Sequence, residues 1–597
     1  PNPQSPIPNL IKANQIFDIL INLINNNISK IKMSKSLTLT KRCLKFILDL
    51  IENCHSSFFK ILNSQNIIPK EYISNIPSFE TQLKSYSPFT LICFGIILIF
   101  FYYLLKKIYS FFISIIDFFL NIKENIYLLM CKLPGPRKQL AEAKEQINAE
   151  FKRMFKKKFK KIEFYDNKQE HTRILLKMEE NLKGDNPKIE CGKLTGSVYC
   201  LNDKIKNIAG EAAKMFLYSN LLHPDIYTYT RYIEAELIKI GINLFNGKED
   251  ACGMTTSGGT MSVINAVYAY VKRAQKLGIK NPELIMSITV HCSFDKACEL
   301  FGVKCIKIPL DKKTYQINLK LVEKNINKNT ICLVGSFPNF PHGVSDDIEK
   351  LSQLGLKYHV PVHVDCCLGG FLVAFHERAG IVETPKFDFR LPGVTSISAD
   401  LHKYGLCPKG ISLLLFSKHE YRRNIFFYYP RWPGSTYITP SFEGSRTGAL
   451  IAASFAILTS MGKEFYANNA KEIYEAVIKV KEFIKKECDL IEVIGDPFIC
   501  GVSFTGKYIP SFYDMITEKG FAVNYINSPE GVGFIFTSSN VHNADNYMKA
   551  LKEINDKLKI EKPEKCSDAA KLYGLSYTLP LGIANDALEH YPDYVLD

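Results

Sequence analysis

Residues 360–365 read VPVHVD, a short valine-rich run that ends on a carboxylate. Runs of the same kind recur at LIMSITV (284–290), ICLVG (331–335), TSISAD (395–400) and ISLLLF (411–416), with helical stretches between them. Strand-length apolar runs that do not alternate with polar residues fit strands covered on both faces, and helices between them supply the cover. The reading is an α/β unit with a mostly parallel sheet at 251–461, preceded by a segment at 186–250 that belongs to the same unit. In such sheets the working residues stand just beyond the carboxyl ends of the strands. Past Gly462 the pattern changes to a helix (Lys471–Lys486), short strands and another helix (Ala544–Leu558), so 462–597 reads as a smaller α+β domain.

The composition sets the outer bounds. A chain of 597 residues is too long for one core, and two to four folding units are expected. Hydrophobic residues at 46% and charged residues at 23% exclude wholesale disorder and fibrous classes. The net charge of +15 admits anionic partners such as phosphorylated ligands or acidic lipid surfaces. Zinc-finger spacing, RNP-type aromatic runs and a P-loop are missing from the sequence, which argues against nucleic acid. The seventeen cysteines are odd in number, and several lie inside apolar runs (Cys332, Cys366, Cys367). With no metal-ligand spacing among them, they read as reduced thiols, with neither a disulfide framework nor a metal site.

Ahead of the α/β unit, residues 1–86 are rich in Asn, Ile, Ser and Lys and read as a low-complexity extension. Within 87–123, the stretch FTLICFGIILIFFYYLL (89–105) carries no charge. As a helix it is about 26 Å long, enough for one membrane span. Tyr102 and Tyr103 sit where an aromatic belt would be, and the apolar stretch 108–122, which carries Asp117, is expected to lie along the surface. Basic residues (Lys106, Lys107, Lys123, Lys132, Arg137, Lys138) follow the span and continue through a basic linker at 124–185. The positive-inside rule therefore puts the large C-terminal part in the cytosol.

Four features at the strand ends carry chemistry. Ser257-Gly258-Gly259-Thr260 opens a helical stretch, His291 follows the first run, Asp365 ends VPVHVD, and Lys403 follows TSISAD. Each has an ordinary reading alone: a capping turn, a satisfied histidine, a paired carboxylate, a surface lysine. Together they are the parts of a pyridoxal phosphate site. Glycines at a helix N-terminus cradle a phosphate. The carboxylate pairs with the pyridine nitrogen, the imidazole stacks on the ring, and a lysine in a dry site can lose its proton and form a Schiff base.

The segments SGGT, HCSFDKA, GSFPNFPHG, HVDCCLGGF, GVTSISADLHKYGLCPKG and EGSRTG resemble those of the sphingosine-1-phosphate lyases. These are decarboxylase-related enzymes of pyridoxal phosphate fold type I, with a large domain and a small C-terminal domain. The resemblance runs from about Thr195 into the C-terminal domain. It implies a retro-aldol cleavage of sphingoid-base phosphates to a long-chain aldehyde and phosphoethanolamine. It assigns Lys403 to the cofactor aldehyde, Asp365 to the ring nitrogen and His291 to the ring face. Gly258, Gly259, Thr260 and His402 are assigned to the cofactor phosphate, with Ser445 reaching it from the neighbouring subunit of a homodimer with shared sites. Asn220, His223, Tyr199 and Lys409 are assigned to the substrate, with His223, Tyr199 or the cofactor phosphate as the base. A single-pass anchor in the endoplasmic reticulum is implied as well. The alternative on the same fold is an amino-acid decarboxylase. Departures from the family pattern are Met261 after SGGT, Leu221 after Asn220, TYT at 228–230 and RWPGS at 431–435.

Overall fold

The computed structural model describes residues 170–182 and 191–562, besides a few isolated positions. The expected extension at 1–86, the span at 89–105 and the tail beyond 562 lie outside the described residues. No helix among the described residues is long and apolar enough to cross a membrane.

Seven strands form the main sheet: β1 (Cys252–Thr256), β2 (Glu283–Ser287), β3 (Lys304–Ile308), β4 (Thr330–Ser336), β5 (Val362–Asp365), β6 (Val394–Ala399) and β7 (Ser412–Phe416). Their order is β1-β7-β6-β5-β4-β2-β3. Pairings β2–β3, β2–β4, β4–β5 and β5–β6 are parallel, while β6–β7 and β1–β7 are antiparallel. The sheet is therefore mixed rather than uniformly parallel. The link from Ala399 to Ser412 is made of turns and holds no helix, so β7 returns alongside β6 in the opposite direction. Every residue of β1, β2, β4, β5, β6 and β7 is buried, as expected for a sheet covered on both faces.

Helices α1 (Thr228–Leu244), α2 (Gly259–Lys276), α3 (Ser293–Phe301) and α4 (Ile348–Tyr358) provide cover. Asp347 caps α4 by accepting from the N–H of Lys350, and α3 ends on Gly302 in the left-handed conformation. Helix α5 (Gly448–Glu487) is interrupted at Gly462, whose φ of 71° is non-helical. That is the residue at which the sequence pattern changes. Beyond the two-stranded hairpin β8 (Phe427–Tyr429) and β9 (Tyr437–Thr439), the small sheet has the order β10-β11-β13-β12. Its strands are β10 (Ile491–Val493), β11 (Gly501–Gly506), β12 (Asn524–Asn527) and β13 (Glu530–Ile535), all antiparallel. Helix α6 (Ala544–Glu561) packs near it through Tyr547, whose ring stacks on Phe534. The cysteines of the described residues are free thiols.

Candidate active site

The carboxyl ends of β4, β5 and β6 and the N-terminus of α2 converge on a cavity of about 440 Å³. Of the residues singled out in the sequence, Tyr199, Gly258, Gly259, Thr260, His291, Asp365, His402, Lys403 and Lys409 line it. A larger hollow of about 690 Å³ lies elsewhere, but its buried charged groups are already paired: Lys481 Nζ with Asp496 at 2.8 Å, and Asp346 with the N–H groups of Ser336 and Ile317.

Gly258 adopts φ 131°, a conformation strained for any residue with a side chain, and so turns the chain into α2. A Cβ on Gly259 would lie 2.8 Å from both oxygens of Asp400. A side chain at Gly259 would thus press on Asp400, and neither glycine adds a side chain beside the backbone N–H groups that begin α2.

Lys403 Nζ lies 2.8 Å from Asp400 Oδ2, a carboxylate only 2% exposed. Burial is the largest single effect and pulls the amine down, but the charge and hydrogen bond of Asp400, together with Cys367 and Tyr199, outweigh it and the net displacement is upward. Dryness alone, the basis of the expectation from sequence, would leave this lysine neutral; with Asp400 beside it, the amine is held as the cation instead. The sequence pattern does not single out Asp400, although it ends TSISAD as Asp365 ends VPVHVD. The repeated strand-end carboxylate is the signal that could have found it.

Asp365 Oδ1 accepts from the Cys367 N–H at 3.0 Å and the Ser398 hydroxyl at 3.2 Å. His291 Nδ1 accepts from the N–H of Ser293 at 3.2 Å, which fixes the ring over the start of α3. His402 lies with Nε2 3.5 Å from Asp400 and with Nδ1 accepting from the Ile411 N–H; burial holds it below the ordinary histidine value. Burial pushes the Tyr199 phenol up, so it is a donor rather than a base near neutrality. Lys409 Nζ sits 4.5 Å from the centre of the Tyr199 ring, and burial together with the charge of Lys403 holds it down.

Asn220, His223 and Ser445 gather elsewhere. Asn220 donates to Ser445 Oγ at 2.9 Å, and the His223 N–H reaches the Asn220 carbonyl. Arg446 ties this loop to Glu234 and to Thr255 Oγ1. These three residues do not line the cavity of their own chain.

Two buried polar atoms at the cavity, Asp400 Oδ1 and Asn339 Nδ2, lack partners among the described residues. Native structures rarely leave such atoms unmatched. A helix N-terminus stripped of side chains, an amine, and a carboxylate facing one space fit a group carrying a phosphate, an aldehyde and a protonatable ring nitrogen.

Residues 236–507 match the model of the pyridoxal-dependent decarboxylase conserved domain. The sphingosine-1-phosphate lyase of Saccharomyces cerevisiae is 38% identical over 409 residues, 67% of this chain and 69% of that one. The enzyme of the same name from Arabidopsis thaliana is 34% identical, over 78% of this chain and 87% of that one. The solved structure of a Burkholderia pseudomallei sphingosine-1-phosphate lyase superposes with a TM-score of 0.65 at 33% identity, covering 67% of this chain and 94% of that one. A Lactobacillus brevis glutamate decarboxylase, 20% identical, shares the fold with a TM-score of 0.58.

Proposed function

This chain belongs to the sphingosine-1-phosphate lyase family of pyridoxal-dependent enzymes, and on that premise we propose that it cleaves sphingoid-base phosphates to a long-chain aldehyde and phosphoethanolamine. The observation that carries the reading at this site is the Lys403–Asp400 pair, standing in one cavity with Asp365 and the bare N-terminus of α2.

Pyridoxal phosphate, when bound, supplies the electron sink that takes up the pair released by the breaking C2–C3 bond. Gly258, Gly259 and Thr260 would hold its phosphate, Lys403 its aldehyde and Asp365 its ring nitrogen. The chain's own groups do the rest. Asp400 stores a proton on Lys403 until the amine is needed. Asp365 keeps a proton at the ring nitrogen. The hydroxyl on C3 must give up its proton as the C2–C3 bond breaks: Tyr199 would orient that hydroxyl by a hydrogen bond, His223 of the partner subunit would take the proton, and Lys409 at the mouth would meet the substrate phosphate as a point charge.

We propose further that two copies share their sites. Asn220, His223 and Ser445 would serve the cavity of the partner, which accounts for their assembly away from their own. The hairpin with Tyr428, Tyr429 and Trp432 exposed supports the same reading. The uncharged stretch 89–105, with the basic residues that follow it, supports a single membrane anchor with the catalytic part in the cytosol; the endoplasmic reticulum as its membrane rests on the family resemblance.

The test is incubation of the full chain with sphingosine-1-phosphate, with and without added pyridoxal phosphate. Long-chain aldehyde is expected, dependent on the cofactor, and Lys403→Ala is expected to lose both the aldehyde and the cofactor absorbance while remaining folded. Release of carbon dioxide from an amino acid, with no aldehyde from the lipid, would select the decarboxylase alternative.

A further inference from the structure

Behind Asp365 runs a buried chain of hydrogen bonds that the proposed reaction does not use. Starting from the carboxylate, Asp365 Oδ1 meets Ser398 Oγ at 3.2 Å, and Ser398 Oγ meets His363 Nε2 at 3.1 Å. His363 Nδ1 meets Ser396 Oγ at 2.7 Å, Ser396 Oγ meets Tyr270 Oη at 2.6 Å, and Tyr270 Oη meets Thr395 Oγ1 at 2.7 Å. The Thr395 hydroxyl ends the chain by donating to the Val362 carbonyl at 2.9 Å. All five side chains between the two ends are buried.

Both ends of this chain are acceptors. Six contacts separate them, and the five groups between, four hydroxyls and one neutral imidazole, bring one hydrogen each. One contact must go without a hydrogen. Thr395 donates to Val362, so it accepts from Tyr270; Tyr270 accepts from Ser396, and Ser396 from His363 Nδ1. The two longest contacts are the ones nearest Asp365, which places the deficit there. The bare Nε2 of His363 and the carboxylate of Asp365 therefore compete for the single hydrogen of Ser398.

The surroundings keep the imidazole neutral. Burial pushes His363 down to about 4 against the pull of Asp365. Its other titratable neighbours are neutral groups pushed up by burial: Tyr270 on α2, Cys332 on β4, and Cys367 beyond β5, whose thiol also approaches Ser398. The Phe294 ring of α3 closes the remaining side, edge-on at 5.6 Å.

We propose that His363 is a positioning residue that acts through Ser398. It draws the hydroxyl hydrogen away from Asp365 and so keeps that carboxylate the stronger base toward the ring nitrogen of the cofactor. The proposal rests on the assignment of Asp365 to that nitrogen.

The experiment loads the full chain with pyridoxal phosphate labelled with ¹⁵N in the ring and follows the nitrogen resonance against pH. His363→Leu releases the Ser398 hydrogen to Asp365, and the pH at which the ring nitrogen loses its proton is expected to fall by about one unit, the size of one hydrogen bond to a charged acceptor. Ser398→Ala removes the donor, and the same transition is expected to rise. His363→Gln, whose amide oxygen can take the Ser398 hydrogen, is expected to behave like the parent; should His363→Leu fail to hold the cofactor, His363→Phe, which also lacks an acceptor, takes its place with the same expected fall. Shifts in the same direction for His363→Leu and Ser398→Ala, or none in either, overturn the proposal if Asp365→Asn still abolishes the protonated signal. An unchanged signal in Asp365→Asn overturns the assignment of Asp365, and the proposal with it.

Discussion

Replacing Asp400 by Asn should change when Lys403 can react, more than whether it can. The two side chains are nearly isosteric, and the carboxylate is only 2% exposed. Two unit charges 2.8 Å apart interact by roughly 6 kcal/mol at an effective dielectric constant of about 20. That is several powers of ten in proton affinity, at about 1.4 kcal/mol per tenfold. With the carboxylate gone, burial, the largest single effect on this amine, acts to expel the proton. The amine should then be neutral at a pH where the parent amine is still the cation. Protein stripped of cofactor can be mixed with pyridoxal phosphate in a stopped-flow instrument and the absorbance change followed from pH 6 to pH 10. The parent capture rate should climb with pH throughout that range, and the Asp400→Asn rate should level off at least about two units lower. Superimposable profiles, with both proteins folded, would show that some other group holds the Lys403 proton.

Gly259→Ala places a Cβ 2.8 Å from both oxygens of a short, buried carboxylate, so Asp400 or the turn must move. Pyridoxal phosphate affinity measured by equilibrium dialysis should fall at least tenfold, with a much smaller change in melting temperature. Acid stability follows from His363 and His376, both lowered by burial to about 4 from an ordinary 6.5. The unfolded chain takes up those protons first, so each histidine removes up to about 3 kcal/mol as pH falls from 6.5 to 4. Asp346, raised by burial to about 6, works in the opposite sense and returns a similar amount between pH 6 and 4. The balance is about one histidine's worth of stability lost, and a melting temperature by scanning fluorimetry that rose over that interval would contradict it.

What the sequence disclosed, and what it hid, follows from the range over which each feature is determined. Asp365, Lys403 and His291 were visible because each ends or follows an unbroken apolar run, and a sheet buried on both faces leaves such ends as the only places where polar chemistry can emerge. The direction of β7 depends on the link at 400–411 folding as turns rather than as a crossover helix, and at twelve residues its length alone allows either. Asn220 and Ser445, 225 residues apart, meet through a loop anchored by Arg446 on Glu234, and no local pattern announces a contact of that span. The chain behind Asp365 is the most instructive case. His363 and Asp365 alternate on β5, and Ser396 and Ser398 alternate on β6, so each pair shares a face of its strand. Only the register brings them together, with His363 opposite Ser396 and Asp365 opposite Ser398. A slip of one residue would turn both serines to the other face and leave the imidazole and the carboxylate without partners in the dry centre of the sheet. The hydrogen-bonded ladder is thus a constraint on the fold as well as on the chemistry: the register that serves the active site is also the one that satisfies these buried polar atoms.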